Sequence, residues 1–388
     1  MMNVFTVTNM KTDKTKKPGI FRYLTVGDVH MGHRQTPTEL IINNFWKTVP
    51  DTILKDIDML IITGDLFDRQ LNNGDPAAYA IDRFITILLY KCEMYNVMIR
   101  IVEGTPSHDR GQMQFFVEQK NNANIKVDLH YSKILDIEYI EKLDAYFLYV
   151  PDKWNPSTSE TLNQVKDLMH KKGISQVDFT ILHGAFKHQL PSIVEEPTHD
   201  PDEYLALTKY MINGGHVHEM SIYERILAAG GFDRLSHNDE IPKGLFDVVV
   251  KENGEWTATF LENKGARRYD TLNVHGMDTK QLNYTVKEHI KTLPANSAIR
   301  LRCNPGDVAT GDLDTFQNEY PNFSWSILIE KVTTKKNTVS DSLKNFDLSE
   351  FLDITPESIS DLIIPDIEKF TADAAQIQRV LGLLTEFK

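Results

Sequence analysis

Five short segments end an apolar run with side chains able to hold a metal ion. They are Gly27-Asp28-Val29-His30, Gly64-Asp65-Leu66-Phe67-Asp68, Gly104-Thr105-Pro106-Ser107-His108-Asp109, Leu182-His183-Gly184 and Gly215-His216-Val217-His218. Asp28 and His30 are two apart, as are His216 and His218. In extended backbone that spacing puts both side chains on one side, within reach of one ion. Mixed carboxylate and imidazole ligands suit manganese, iron or zinc, whereas calcium prefers oxygen alone. A cluster of this size would hold two ions, and two adjacent divalent cations suit hydrolysis of a phosphoester. Singly, each segment has a plainer reading: Asp after Gly is a common turn former, and a lone His183 would be an ordinary core histidine. Taken together, in this order, they point to one site.

The elements that must position these groups alternate along the first 230 or so residues. Apolar, β-branched runs predict strands at Tyr23 to Val26, Met59 to Thr63, Val97 to Glu103, Ala145 to Val150, Phe179 to Leu182 and Tyr210 to Asn213. Between them, Pro76 to Tyr95 reads as a helix capped by Asp75, with Pro76 at its first position and Ala80, Phe84, Ile87 and Leu88 on one face. Ser157 to Lys172 reads as another, with Ser157 and Glu160 in capping-box spacing. Such alternation is an α/β pattern, and loops leaving the carboxyl ends of parallel strands gather at one edge, where the five segments would meet.

Leu245 to Lys251 and Trp256 to Leu261, around Asn253 and Gly254, read as a hairpin closing this unit. After a break near Ala266 to Asp270, residues 271–334 give strand, helix (Asp278 to Thr292) and strand (Ala298 to Cys303). The polar stretch Thr333 to Lys344 reads as a linker. In the tail, Ile367, Phe370, Ala374, Ile377, Leu381 and Leu384 recur at steps of three and four, the spacing of an a/d seam. That stripe either docks a partner's coiled coil or packs on the chain's own second domain. The divisions expected are therefore 1–266, 267–334 and 335–388.

Composition sets limits on function. The 388 residues are 41% hydrophobic and 25% charged, ordinary globular usage that excludes a disordered or collagen-like chain. No run of apolar residues is long enough to span a bilayer, and the lysine-rich start lacks the apolar core of a signal peptide. Two cysteines, Cys92 and Cys303, are too few for a disulfide framework and suit a reducing compartment, so a cytoplasmic location without membrane attachment is expected. With 42 basic and 55 acidic residues the net charge is -13. Any nucleic-acid binding must then rest on local basic patches, metal ions or a partner.

The order DxH, GDxxD, a glycine-led turn ending in His-Asp, a lone His and GHxH resembles the calcineurin-like metallophosphoesterases. More narrowly, Gly64 to Arg69 with the Asp75-Pro76 helix, and Gly230-Gly231-Phe232-Asp233-Arg234-Leu235-Ser236 leading to Glu240 and Lys243-Gly244, resemble the SbcD-like DNA exonuclease subunits of recombination-repair nuclease complexes, bacterial and phage. The likeness spans roughly residues 21–250. It implies an α/β four-layer β-sandwich flanked by helices, with a small α/β capping domain and a helical tail. It also implies a DNA exonuclease and single-strand endonuclease serving DNA recombination, repair or replication.

The same resemblance implies two divalent ions, manganese by preference and magnesium otherwise. Asp28, His30 and His218 would bind the first ion, Asp65 would bridge, His183 and His216 would bind the second, and His108 would be catalytic. Implied partners are DNA and an SMC-type coiled-coil ATPase (SbcC-like), with two nuclease subunits in a heterotetramer, in a host cytoplasm if phage-encoded.

One departure stands out. The family carries Asn before His-Asp, where this chain has Thr105-Pro106-Ser107, so Ser107 or a water is expected to replace the amide ligand. Asp68 follows the bacterial and phage form of its motif, and Asp109 would either orient His108 or cap a helix from Arg110. Two rival readings share the core motifs: a phosphodiesterase or phosphatase of small phosphoesters, for which cap and tail have little use, and a scaffold that lost turnover with the altered third motif.

Overall fold

The computed structural model describes residues 6–8 and 21–330, apart from 73, 153–156, 192, 195–196, 238, 240, 252 and 312. The chain divides into two units, Met1–Ile329 and Glu330–Lys388. The expected linker and the tail 335–388 with its seam lie outside the described residues.

In chain order the first half runs β1 (Thr6–Thr8), β2 (Phe21–Val26), α1 (Thr38–Thr48), α2 (Asp51–Leu54), β3 (Met59–Ile62), α3 (Pro76–Tyr95), β4 (Met98–Val102), α4 (Gln114–Asn122), β5 (Leu129–Ser132), β6 (Asp136–Ile140), β7 (Ala145–Val150) and α5 (Thr158–Lys171). It continues β8 (Val177–His183), α6 (Pro201–Leu207), β9 (Thr208–Gly215), β10 (Ser221–Tyr223), β11 (Ile226–Ala228), β12 (Gly244–Val250) and β13 (Trp256–Glu262). The last elements are β14 (Tyr269–Asn273), α7 (Thr279–Ile290), β15 (Ala298–Cys303), α8 (Leu313–Glu319) and β16 (Ser324–Ile329).

Two sheets stack face to face. One has strand order β1-β13-β12-β2-β3-β4-β5 and the other β10-β11-β9-β8-β7-β6. Strands β2 to β5 run parallel, as do β7, β8 and β9. Their inner faces share one core in which Tyr23, Ile61, Val102, Phe147, Ile181 and Trp256 are buried. The outer face of the first sheet is covered by α1 to α4 through Phe45, Phe84, Leu88 and Phe116, and that of the second by α5 and α6 through Val165, Met169 and Tyr204. This is a four-layer α/β sandwich, as the sequence led one to expect. Double coverage explains why β3 reads as an unbroken apolar run instead of alternating, and why β4 is buried throughout, Arg100 included.

Local chemistry sets the element ends. Asp75 accepts the Ala77 N–H at 3.0 Å, Pro76 opens α3, and Asn96 closes it in the left-handed region. The buried face of α3 is Ile81, Phe84, Ile85, Leu88 and Cys92, rotated slightly from the expected face, with Ala80 and Ile87 half-buried. Ser157 caps α5 by accepting from Glu160 N at 3.3 Å.

The β12–β13 hairpin forms as expected. Beyond it lies more than the expected strand, helix and strand: α8 and β16 complete a parallel sheet β14-β15-β16. That sheet has its own core of Leu282, Val286, Ile299, Leu301, Phe316 and Trp325.

Candidate two-metal centre

Every chemistry-bearing segment leaves the carboxyl end of a parallel strand. Asp28 and His30 follow β2, Asp65 follows β3, Thr105 and His108 follow β4, His183 ends β8, and His216 and His218 follow β9. Because the two sheets face each other with these ends at one edge, the loops of both converge, as ligand-binding loops of open α/β sheets do.

The loops carry backbone that ordinary residues avoid. Asp28, His30 and Asp65 have φ of 51°, 54° and 50°, and His216 has 107°. Non-glycine residues in this region are held there by surrounding structure, and such strain clusters at functional sites. Here the clamp is a pairing of the β2 and β3 loops: Val29 N and His30 N donate to Asp65 O at 2.8 and 3.1 Å, and Met31 N to Leu66 O at 2.7 Å. Close approach also fixes the glycines: a Cβ at Gly64 would collide with the His183 ring and with Gly104.

Three groups result, each with ligand atoms within 4.8 Å of one another: Asp28, His30 and His218; Asp65, His183 and His216; and His30, Asp68 and His108. In the first, His30 Nε2 and His218 Nε2 stand 3.0 Å apart. Two imidazole nitrogens bound at about 2.1 Å to one cation, at right angles, stand about 3 Å apart. In the second, His183 Nε2 lies 3.3 Å from Asp65 Oδ2. His183 Nδ1 donates to the Thr63 carbonyl at 2.6 Å, which leaves Nε2 as the ligating nitrogen. The groups adjoin, since both oxygens of Asp28 accept from His216 N at 2.9 and 3.0 Å.

Electrostatics follow from this crowding. Burial lowers His183, but the charge and hydrogen bond of Asp65, with the more distant Asp28, outweigh it and raise the imidazole to about 10. Burial works the other way on Asp65, and its histidine neighbours, His183 foremost, hold the carboxyl well below the usual range. Burial lowers His30 as well, and Asp68, Asp65 and Asp28 reverse it. His218 is lowered, chiefly by burial. A divalent cation would displace the protons that these carboxylates hold on the imidazoles and meet the same oxygen and nitrogen donors.

Asp68, given no role by sequence, serves two histidines. Its Oδ1 lies 3.4 Å from His30 Nδ1 and its carbonyl accepts from His108 Nδ1 at 2.6 Å. Since a carbonyl only accepts, His108 Nδ1 carries a proton there. The His30 and His108 rings meet edge to face at 4.8 Å.

Two expectations are corrected. Ser107 is exposed. The oxygen at the second group is that of Thr105, whose Oγ1 lies 3.0 Å from Asp65 Oδ2, 3.2 Å from His183 Nε2 and 3.4 Å from His216 Nδ1. The two extra residues of this turn thus fall between Thr105 and His108, where they bulge outward. Asp109 neither orients His108 nor caps a helix. Fully buried, it accepts from Asp65 N at 2.9 Å, Gly104 N at 2.8 Å and Phe67 N at 3.1 Å, stitching the β3 and β4 loops together. Burial, then the charges of Asp65 and Glu103, raise its carboxyl to about 8.

The glycine-led segment after β11 buttresses the site from beneath. Phe232 N donates to Asp28 O at 3.1 Å and Gly231 N to His218 O at 3.1 Å. Lys243, fully buried, donates to the same His218 carbonyl at 2.9 Å and pairs with Asp239. Asp233 accepts from Asn44 Nδ2 and Arg267 N, both at 2.7 Å, and so fastens this segment to the start of the third sheet.

No family model matches the chain, and no curated protein matches its sequence. Among solved structures, the crystal structure of TT1561 of Thermus thermophilus aligns at 11% identity and a TM-score of 0.35, over 62% of this chain and 99% of that one. A second crystal structure aligns at 8% identity and a TM-score of 0.38, with the same coverage.

Proposed function

We propose that this protein is a metal-dependent phosphodiesterase acting on DNA, a nuclease subunit using two divalent cations, manganese by preference and magnesium otherwise. The observation that carries the reading is the pair of adjoining ligand groups, Asp28/His30/His218 and Asp65/His183/His216; the bridging role of Asp65 enters through the motif resemblance. Bound there, two cations would neutralise phosphate charge and acidify an attacking water.

The chain's own residues do the rest. Asp28 and Asp65 supply negative charge where the histidines converge, and the Thr63 carbonyl fixes the His183 tautomer. His108, oriented by the Asp68 carbonyl, presents Nε2 to stabilise or protonate the departing oxygen.

A DNA substrate is favoured by a cavity of about 540 Å³ lined by Arg34, His237, Arg267, Tyr269, Arg300 and Trp325. It gathers Arg34 and Arg300 with Tyr269 and Trp325 on an otherwise acidic chain, a combination suited to a phosphate backbone and its bases. Association with an SMC-type ATPase, and two nuclease subunits per complex, enter through the motif resemblance. Location in the cytoplasm belongs to the same proposal; among the described residues no helix is long and apolar enough to cross a membrane.

The test is manganese-dependent digestion of a labelled duplex by wild type and His108→Ala, with and without the ATPase, beside a small chromogenic phosphodiester. His108→Ala is expected to bind manganese as wild type does and to cut more slowly by about 10²- to 10⁴-fold. Undiminished cutting would remove His108 from the reaction, and turnover of the small ester with DNA left intact under every condition would overturn the nuclease reading.

A further inference from the structure

We infer that Thr105 Oγ1 is a direct ligand of the second cation, a neutral hydroxyl oxygen completing the set of Asp65, His183 and His216. The inference rests on the two-cation reading and adds to it a residue that neither motif nor comparison assigns.

The geometry is that of a coordination polyhedron. Thr105 Oγ1 stands 3.0, 3.2 and 3.4 Å from Asp65 Oδ2, His183 Nε2 and His216 Nδ1. Ligands bound at about 2.1 Å to one cation lie about 3.0 Å apart at right angles and about 3.4 Å apart in a tetrahedron. The hydroxyl therefore stands at ligand-to-ligand distance from each of the three other donors.

His183 Nδ1 gives its proton to the Thr63 carbonyl, so a cation at this group would take the place of any proton on Nε2 and meet its lone pair. The hydroxyl has a single proton to give. Donated to Asp65 Oδ2, it leaves the hydroxyl lone pairs for a cation shared with both imidazoles.

Backbone geometry holds Thr105 in place independently of its side chain. Its N–H donates to Asp65 Oδ1 at 2.6 Å. Thr105 also lies three residues past the end of β4, as Asp65 does past the end of β3, so equivalent loop positions on neighbouring parallel strands deliver the two oxygens. A hydroxyl is a weaker donor than a carboxylate, and the second site should fill at higher manganese concentration than the first.

The experiment is calorimetric titration of manganese into the full-length protein, wild type against Thr105→Val, Thr105→Ser and Thr105→Cys. Wild type is expected to bind two ions. Thr105→Val is expected to weaken the second site by about 10- to 100-fold, while the first site, ligated by Asp28, His30 and His218, keeps its affinity and reports correct folding. Thr105→Ser restores the second site. Thr105→Cys, loaded with cobalt, gives a near-ultraviolet thiolate-to-cobalt charge-transfer band absent from wild type, which a merely structural role at this position would not produce.

Two ions in Thr105→Val at unchanged affinity, Thr105→Ser as weak as Thr105→Val, or no charge-transfer band in Thr105→Cys would each overturn the assignment while leaving the two-cation reading intact. A wild type that binds fewer than two ions would overturn both.

Discussion

Replacing Asp109 tests whether the β3 and β4 loops are held together from within, away from any ligand. Three buried backbone donors, Asp65 N, Phe67 N and Gly104 N, end on its two oxygens at 2.8 to 3.1 Å. Leucine fills similar space and accepts nothing. Each orphaned donor costs about 1 to 3 kcal/mol, so Asp109→Leu should lose about 3 to 9 kcal/mol, less whatever relief comes from ending the burial of this carboxyl and its repulsion by Asp65 and Glu103, which together raise it. Asp109→Asn should cost about 1 to 3 kcal/mol, because one oxygen can still serve Asp65 and Gly104 while the amide nitrogen turns toward Phe67 N–H. Urea unfolding at neutral pH with chelator present measures both variants without metal linkage, with an unchanged m-value as the check on two-state behaviour. A loss below about 1 kcal/mol for Asp109→Leu would refute the reasoning, since three unpaired buried donors cannot be that cheap.

Further outcomes follow from neighbouring residues. Lys243→Met removes the hydrogen bond to the His218 carbonyl, so manganese affinity at the first site should fall by about tenfold or more with the second site unchanged; calorimetry separates the two. Burial, with a smaller contribution from His216, lowers His199 from 6.5 to about 4. Its neutral form therefore stabilises the fold fully above pH 6.5, and that contribution of about 3 kcal/mol is lost as pH falls toward 4. Unfolding curves across pH 4 to 7 should show the decline, and His199→Phe should flatten it.

The parts of the fold most legible in the sequence were those with the plainest physics. β3, β4 and β8 are buried on both faces and read as mainly apolar segments; Asp75-Pro76 and Ser157 mark helix starts because capping is local. β5 and β6 escaped notice because their patterns are polar. In β6, Glu138 accepts from the buried Arg100 Nε and Nη2 at 2.8 and 2.9 Å, a pairing of residues 38 apart that no local pattern reveals. β16 was missed beyond a short helix, in the small third sheet.

At the site, residue types and spacing were enough to nominate Asp28, His30, Asp65, His108, His183, His216 and His218, because strand ends gather their loops. Thr105 was missed for an instructive reason: the replacement oxygen was sought beside His108, whereas its place is set by distance from the end of β4. Asp68 meets histidines of two other loops with its own carbonyl and carboxylate, and Asp109 holds main-chain N–H groups of the β3 loop; sequence spacing carries no trace of either.

The central claim is that two cations lie side by side between these loops. Anomalous diffraction at the manganese absorption edge, from crystals grown with the ion, tests it most directly. Two peaks are predicted, one within bonding distance of Asp28, His30 and His218 and the other of Asp65, His183 and His216. Manganese bound elsewhere, or these imidazoles turned from a common centre with no peak among them, would contradict the account.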